Sequence, residues 1–370
     1  DKEFGGKNGP FGKNGARIGT AMAAGAAAGF AKSITEFGSF EKGLNEVFTL
    51  IPDAGDEAFG DLTEQTKDFS KEFGVLPNEV IPALYDSLSA GVSQDNVFDF
   101  LEESNKLAKA GATDLTTAVD GLTTGLNAYG LEATESSRVS DALFAGVKAG
   151  KTTVSELSDS LFQIAPVANL FGVEIEQVTA SVATLTGQGV PTRIAATQMR
   201  AAIAELGRDG TKASKAFQEI TGQTFPDFIA SGGTVADAAF LMQDSADELG
   251  LSLIDLFGSV EGGQAFAGLT ADADKTRETF AAVADATGST QEAFERMDTG
   301  LAPILDKIKA RLSVAFIELG TTIAPAVEKF GLAIAGLVEL LADLPGPVSA
   351  GILGFVGLAG ATLALAGPML

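Results

Sequence analysis

The segment GVKAGKTT, Gly146–Thr153, comes nearest in this chain to a phosphate-binding loop, with Gly150-Lys151-Thr152 at its end. Such a loop needs four residues between its glycines, so that backbone N–H groups can ring the anion. It also needs a strand before it and a helix after it. Here three residues separate Gly146 from Gly150, and no strand pattern precedes them. A helix end at Gly150 followed by a helix start at Thr153 accounts for the same residues. Paired carboxylates, Glu102/Glu103 and Glu174/Glu176, are the other chemistry-bearing spacing. They fall on polar helix faces or at helix starts, where acids are favourable without any catalytic task. Asp272 and Asp274 lack the spacing and the glycine of a calcium loop. The chain has no histidine and no cysteine. That removes Ser-His triads, HExxH zinc sites, His-ligated haem, thiolate metal sites and disulfides. The residues therefore assign no catalytic, cofactor-binding or metal site.

Nor does the charge favour nucleic acid. The 370 residues carry a formal net charge of −24, which opposes sequence-blind binding to phosphate backbones. Lysines and arginines are scattered, without a basic aromatic patch. With 45% hydrophobic and 20% charged residues, the composition excludes intrinsic disorder and allows two to three domains. There are 44 glycines and 25 phenylalanines, no tryptophan, and tyrosine only at Tyr85 and Tyr129. Small residues at that density suit close helix–helix approach.

What positions these residues is a regular punctuation. Gly91, Gly111, Gly130 and Gly150 are about 20 residues apart, and each closes a segment of helical period. Helix starters follow: Ser93, Thr113, and Thr153 with Glu156 as a capping box before the face of Val154, Leu157, Leu161 and Ile164. The spacing predicts helix plus tight turn, with neighbours antiparallel. The segments are not similar to one another, which argues for a globular all-α core over a repeat protein. Thr221–Ala238 reads as the most loop-rich stretch. Ser289 with Glu292 reads as a second capping box, opening a stripe of Phe294, Met297, Leu301, Ile304, Leu305, Ile308, Leu312, Phe316 and Leu319 that Pro303 and Pro325 would kink or split.

The expected organisation follows. Residues 1–15 are a Gly/Lys/Asn linker and 16–52 an Ala/Gly-rich helix. The helical core occupies 53–290, a long amphipathic helical segment 291–343, and an apolar segment 344–370, with the chain expected to continue beyond 370. Val348–Ala366 is uncharged and long enough to cross a hydrocarbon core. Its small residues, Ala350, Gly351, Gly354, Gly357, Gly360 and Ala361, form the candidate face for membrane or oligomer contact. The fold class is thus all-α: an array of short amphipathic helices with Gly turns, then long helices and a C-terminal apolar helix.

Several segments, in order, resemble one family. Ala83–Ser93, Asn127–Leu131, Ser140–Ala168, Phe171–Leu206, Asp255–Leu269 and Lys307–Phe330 are similar to the core region of phage tail tape measure proteins, in the class named after a lactococcal siphophage. The resemblance covers about residues 40 to 370. It implies a non-enzymatic virion protein inside the tail tube or tail tip that sets tail length and leaves ahead of the DNA. Its implied partners are copies of itself, tail tube and distal tail proteins, tail assembly chaperones and, on ejection, the host membrane. No sequence-specific nucleic acid binding and no cofactor are implied. Gene transfer agents and tailocins use similar proteins, so the kind of particle stays open. From the residues alone, a pore-forming or membrane-inserting helical protein outside a tail, or a soluble helical scaffold, remain alternatives.

Overall fold

The computed structural model describes residues 13–52 and 54–342, with the side chains of residues 29, 31–52 and 54–329. Among the described residues there are seventeen α-helices, two short 3₁₀ turns and no strand. They fall into two compact units. One comprises residues 13–46, 66–78 and 306–342, and the other 47–52, 54–65 and 79–305.

Helices α1 (Lys13–Phe48), α2 (Asp56–Phe73) and α3 (Pro77–Ser89) open the chain. Lys13, Asn14 and Gly15, read from sequence as linker, are already helical. Then come α4 (Val97–Ala110), α5 (Leu115–Tyr129), α6 (Ser136–Ala149), α7 (Val154–Leu170), α8 (Ile175–Gly187) and α9 (Thr192–Gly207), ending near the predicted glycines. They form a two-layer array. In one layer α5 lies along α7 and α7 along α9. In the other α4 lies along α6 and α6 along α8. The geometry repeats hairpin on hairpin although the sequence does not. Leu122, Leu143, Ile164 and Ile175, each at most 1% exposed, fill the space between the layers.

Small residues set how closely neighbouring helices approach, within a layer at Gly121, Gly146 and Gly150 and between the layers at Gly125. A Cβ placed on Gly125 would lie 2.8 Å from Val139 Cγ1, and one on Gly150 would lie 2.8 Å from the Ala183 Cα. Gly121 faces the Ser158 side chain and Gly146 the Thr179 methyl just as closely. No larger residue fits at these contacts without moving a helix.

The turns share one device. Gly130 adopts φ 64°, and the next N–H, of Leu131, donates to Leu126 C=O at 2.9 Å. This six-to-one bond satisfies a carbonyl that the helix end would leave open. The same bond runs from Val92 to Ser87, Val173 to Ala168, Val190 to Leu185 and Leu251 to Ala246. Two predicted glycine roles are corrected. Gly150 is extended (φ −103°, ψ 179°), and its glycine is required by the approach of α8. At the α4 end Gly111 has φ −90° and Ala112 takes the left-handed position at φ 52°. Gly111 packs so closely on the Val154 side chain that a Cβ there would collide. Ala112→Gly should therefore raise stability by about 0.5–1 kcal/mol, since a left-handed Cβ costs more than the extra backbone freedom of glycine. A urea titration that moved the other way would refute that account of the turn.

The remainder of the second unit closes over the array. Helices α10 (Lys212–Thr221), α11 (Phe225–Ala230), α12 (Val235–Leu249) and α13 (Leu253–Leu256) are joined by tight turns, so Thr221–Ala238 is not loop-rich. Thr224 and Thr234 cap α11 and α12, and Phe217 stacks edge-on with Phe225 and Phe228. Helices α14 (Val260–Thr270) and α15 (Ala273–Ala284) pack on α9 and α8, and α16 (Ser289–Met297) on α4 and α6. The break before the last helix falls at Asp298–Gly300, where Gly300 has φ 101°, and not at a proline. Helix α17 (Leu301–Ala342) holds Pro303 in its first turn, where its missing N–H costs nothing, and accommodates Pro325 inside.

In the first unit α17 packs on α1. Gly320 sits on Ser33 and Phe37, Ser313 Oγ donates to Glu36 at 3.0 Å, and Lys32 lies over the Phe316 ring at 4.8 Å. Ala310, Val314 and Ile317 form the buried face of α17.

Candidate functional site

Each group that could have carried chemistry is occupied by structure. Lys151 N–H donates to Thr186 Oγ1 at 3.2 Å, and Thr152 Oγ1 bonds Thr192 Oγ1 at 2.9 Å, so the GKT residues clamp α7 to α8 and α9. The Thr153 cap is half of the predicted box: its hydroxyl accepts from Glu156 N–H at 3.1 Å. The Glu156 carboxylate turns instead to Thr192 and Thr152. Glu102 and Glu103 both pair with Lys106. Glu174 and Glu176 hold Arg138, Glu176 through Nε at 2.6 Å and Nη2 at 2.9 Å. Asp272 caps α15, and Asp274 faces Arg277 at 3.9 Å. No group of three or more carboxylates converges on a metal-sized position among the described residues.

Tyr129 donates its hydroxyl to Val173 C=O at 3.1 Å. Burial, then the nearby Glu176 and Glu174, push its phenol well above the ordinary range. Asp86 on α3 and Asp120 on α5 are raised first by desolvation. The next cause is a carboxylate on the neighbouring helix, Asp120 for Asp86 and Asp159 on α7 for Asp120. A carboxyl raised in the fold destabilises it above the folded pKa, and this cost vanishes as pH falls below the unfolded value near 4. Asp120→Asn should thus stabilise the array at pH 7, by about 0.2–0.5 kcal/mol for an exposed like-charge pair. The gain should be absent at pH 3. Equal melting shifts at both pH values would contradict the repulsion.

Three acceptors cap helices from far away in sequence, and sequence reasoning missed them. Asp141 on α6, 5% exposed, accepts from Gly288 N–H at 2.7 Å and Thr290 N–H at 2.9 Å. The predicted Ser289/Glu292 box does not form. The cap position is Gly288 at φ 80°, and Asp141 supplies the acceptor that a local serine would have supplied. Glu205 on α9 takes Gly258 N–H at 2.6 Å and Ser259 N–H at 2.9 Å, ahead of α14. Gln177 on α8 takes Val235 N–H at 2.9 Å, at the start of α12. Caps of this kind, charge-assisted at Asp141 and Glu205, tie the closing helices to the array.

Among the described residues, exposed large apolar side chains concentrate on α17. Leu301 (70% exposed), Ile304, Leu305, Ile308, Leu312 (55%), Leu319 (56%) and Val327 are exposed on the side opposite Ala310, Val314 and Ile317. By length and composition Leu301–Lys329 could cross a membrane. The predicted membrane or oligomer face, Ala350, Gly351, Gly354, Gly357, Gly360 and Ala361, lies outside the described residues.

With this geometry in hand, comparison with known proteins gives one consistent direction. Residues 63–323 match the phage-related minor tail protein family. A probable tape measure protein of Clostridium phage phiCD119 is 31% identical over 263 residues, 68% of this chain and 28% of that protein. The tape measure protein of Pneumococcus phage Dp-1 is 23% identical over 324 residues, 85% of this chain and again 28% of that protein. The chain therefore spans little more than a quarter of the length of these curated relatives. No solved structure matches it. These matches support the family and not the narrower lactococcal class suggested by the segments above.

Proposed function

The chain belongs to the phage-related minor tail protein family, and from that membership we propose that it acts as the tape measure of its tail. Its role in the phage tail is structural. In the proposed reading it lies in the lumen of the tail tube, sets tail length during assembly and leaves ahead of the DNA. It does so with copies of itself, tail tube and distal tail proteins and assembly chaperones as partners, and without enzymatic activity. The observation that carries the reading is the family match over 63–323, which covers the helical array nearly end to end. A chain without histidine or cysteine, whose paired carboxylates are engaged in ion pairs, agrees with a mechanical role. The test is to interrupt the reading frame at residue 79 in the phage. Particles should then lack tails of defined length. Normal tails would overturn the proposal.

The same reading assigns residues 344–370 to the host membrane on ejection. An uncharged segment of that length gains about 25 cal/mol per Å² of apolar surface moved out of water. Gly357→Arg places a charge near mid-span and should cost roughly 2.5–3.5 kcal/mol per copy on insertion. Tails should keep their length while DNA delivery falls. Unimpaired delivery from normal tails would refute the membrane role.

A further inference from the structure

We propose that the trough between α10 and α12 is a docking groove for a cationic amphipathic helix of a second protein. The groove lies wholly within the second unit. It goes beyond the tail-length reading, which assigns no surface of this chain to another protein.

The trough has a volume of about 470 Å³ and a mostly apolar floor: Ala216 and Ile220 on α10, Leu241, Ser245 and Leu249 on α12, and Leu256 on α13. Leu241, Ser245 and Leu249 follow at steps of four residues, so they line one side of α12 over roughly 12 Å. Ala216 and Ser245 are the small members of the set. They leave room for one large side chain among Ile220, Leu241, Leu249 and Leu256. Leu249 is 65% exposed and Leu241 37%, so the trough is open to solvent and uncovered among the described residues. An open apolar trough about two helical turns long is a shape that receives a helix by anchors three, four and seven residues apart.

The charges around the trough select the kind of helix. Glu219 borders it from α10, and Asp244 and Glu248 border it from α12. All three are exposed, and among the described residues none of them closes an ion pair. Lys215 lies one turn before Glu219 on α10 without pairing to it, and Lys212 acts on Asp255 at α13. Asp244 and Glu248 are four residues apart on one helix, a like-charge spacing that repels. Asp247 joins Glu248 in the last turn of α12, which carries no base. Acids there oppose the helix dipole, which favours cations at a C-terminus. A helix with lysine or arginine on both flanks of its apolar face answers all of this. It neutralises both walls, relieves the Asp244/Glu248 repulsion and supplies the cation that the end of α12 lacks. An anionic lipid surface or a nucleic acid is repelled by the same carboxylates. A second copy is a poorer occupant, because the chain carries a formal net charge of −24.

The probe is a synthetic fluorescein-labelled helix with leucine along one face and lysine on both flanks. A second peptide has the same composition with the leucines scattered. Each is titrated with the 370-residue chain at physiological ionic strength and followed by fluorescence anisotropy. The proposal expects the amphipathic peptide to bind and the scattered one to bind at least tenfold more weakly. Glu219→Gln, Asp244→Asn and Glu248→Gln together should weaken binding at least tenfold. Asp95→Asn, Asp99→Asn and Glu135→Gln, the same change of charge elsewhere in the second unit, should leave it within twofold. Ser245→Leu fills the floor without touching a charge and should also weaken binding at least tenfold. Circular dichroism checks that every variant keeps its helix content, and the two triple variants carry the test if Ser245→Leu does not fold. Absence of binding, equal binding of the scattered peptide, or equal loss from the two triple variants would overturn the proposal. So would self-association of the chain in sedimentation that the groove triple abolishes, since the occupant would then be a second copy. Because binding is read on the isolated chain, its failure is separable from failure of the tail-length role, which is read in particles.

Discussion

Gly146→Leu should destabilise the second unit by about 3 kcal/mol, at the upper end of what overpacking costs. Gly146 lies on α6 where α8 crosses it. Even a Cβ would collide with the Thr179 methyl and sit 3.4 Å from Leu157 Cδ1. Removing a helical glycine gains about 1 kcal/mol in propensity. That gain is smaller than the cost of driving α6 and α8 apart within their layer, because Leu157 of α7, in the other layer, closes the space beside Thr179. The measurement is the urea midpoint followed by circular dichroism. An unchanged or higher midpoint would mean that α6 and α8 are not in the contact described, and the two-layer arrangement would have to be redrawn.

Asp141→Ala should cost a similar amount, about 3 kcal/mol, by a different route. The substitution leaves Gly288 and Thr290 N–H groups pointing into a buried space without an acceptor. An orphaned buried donor costs about 1–3 kcal/mol, and these bonds were to a charged group. The effect should be concentrated. Hydrogen exchange should show the amides of α16 losing protection while those of α5 and α7 keep theirs below the global transition. Asp141→Asn keeps one carbonyl acceptor and should fall between the two. Protection of α16 unaffected by Asp141→Ala would show that the helix is capped by some other group.

These two residues also show what could be read from the sequence and what could not. The helix ends at Gly91 and Gly130 were legible because a left-handed glycine followed by an apolar residue is a local signal, and local chemistry completes it. Gly111 and Gly150 carry the same residue type for a non-local reason, the approach of Val154 and of α8, and spacing along the chain cannot tell the two uses apart. The Ser289/Glu292 box had the right spelling. It lost to Asp141, whose carboxylate arrives from 149 residues away in sequence from Thr290. Hydrophobic periodicity found the stripe of Leu301, Leu305, Ile308, Leu312 and Leu319, but that stripe faces outward. The buried face of the same helix is built from Ala310, Ser313, Val314, Ile317 and Gly320. Small residues count for little in a hydrophobic pattern and for much in close packing, so the seam between α17 and α1 was invisible until both helices were placed.

The central claim is that length of chain becomes length of tail. It is tested most directly by removing hairpins in frame from the phage gene, residues 97–129, then 97–170, then 97–207, and measuring tails by electron microscopy. Each deletion should give tails of one uniform length, shortened stepwise by at most about 50, 110 and 165 Å at 1.5 Å per helical residue. The steps will be smaller if the helices stay folded back inside the tube. Uniform tails of unchanged length in all three would contradict the account.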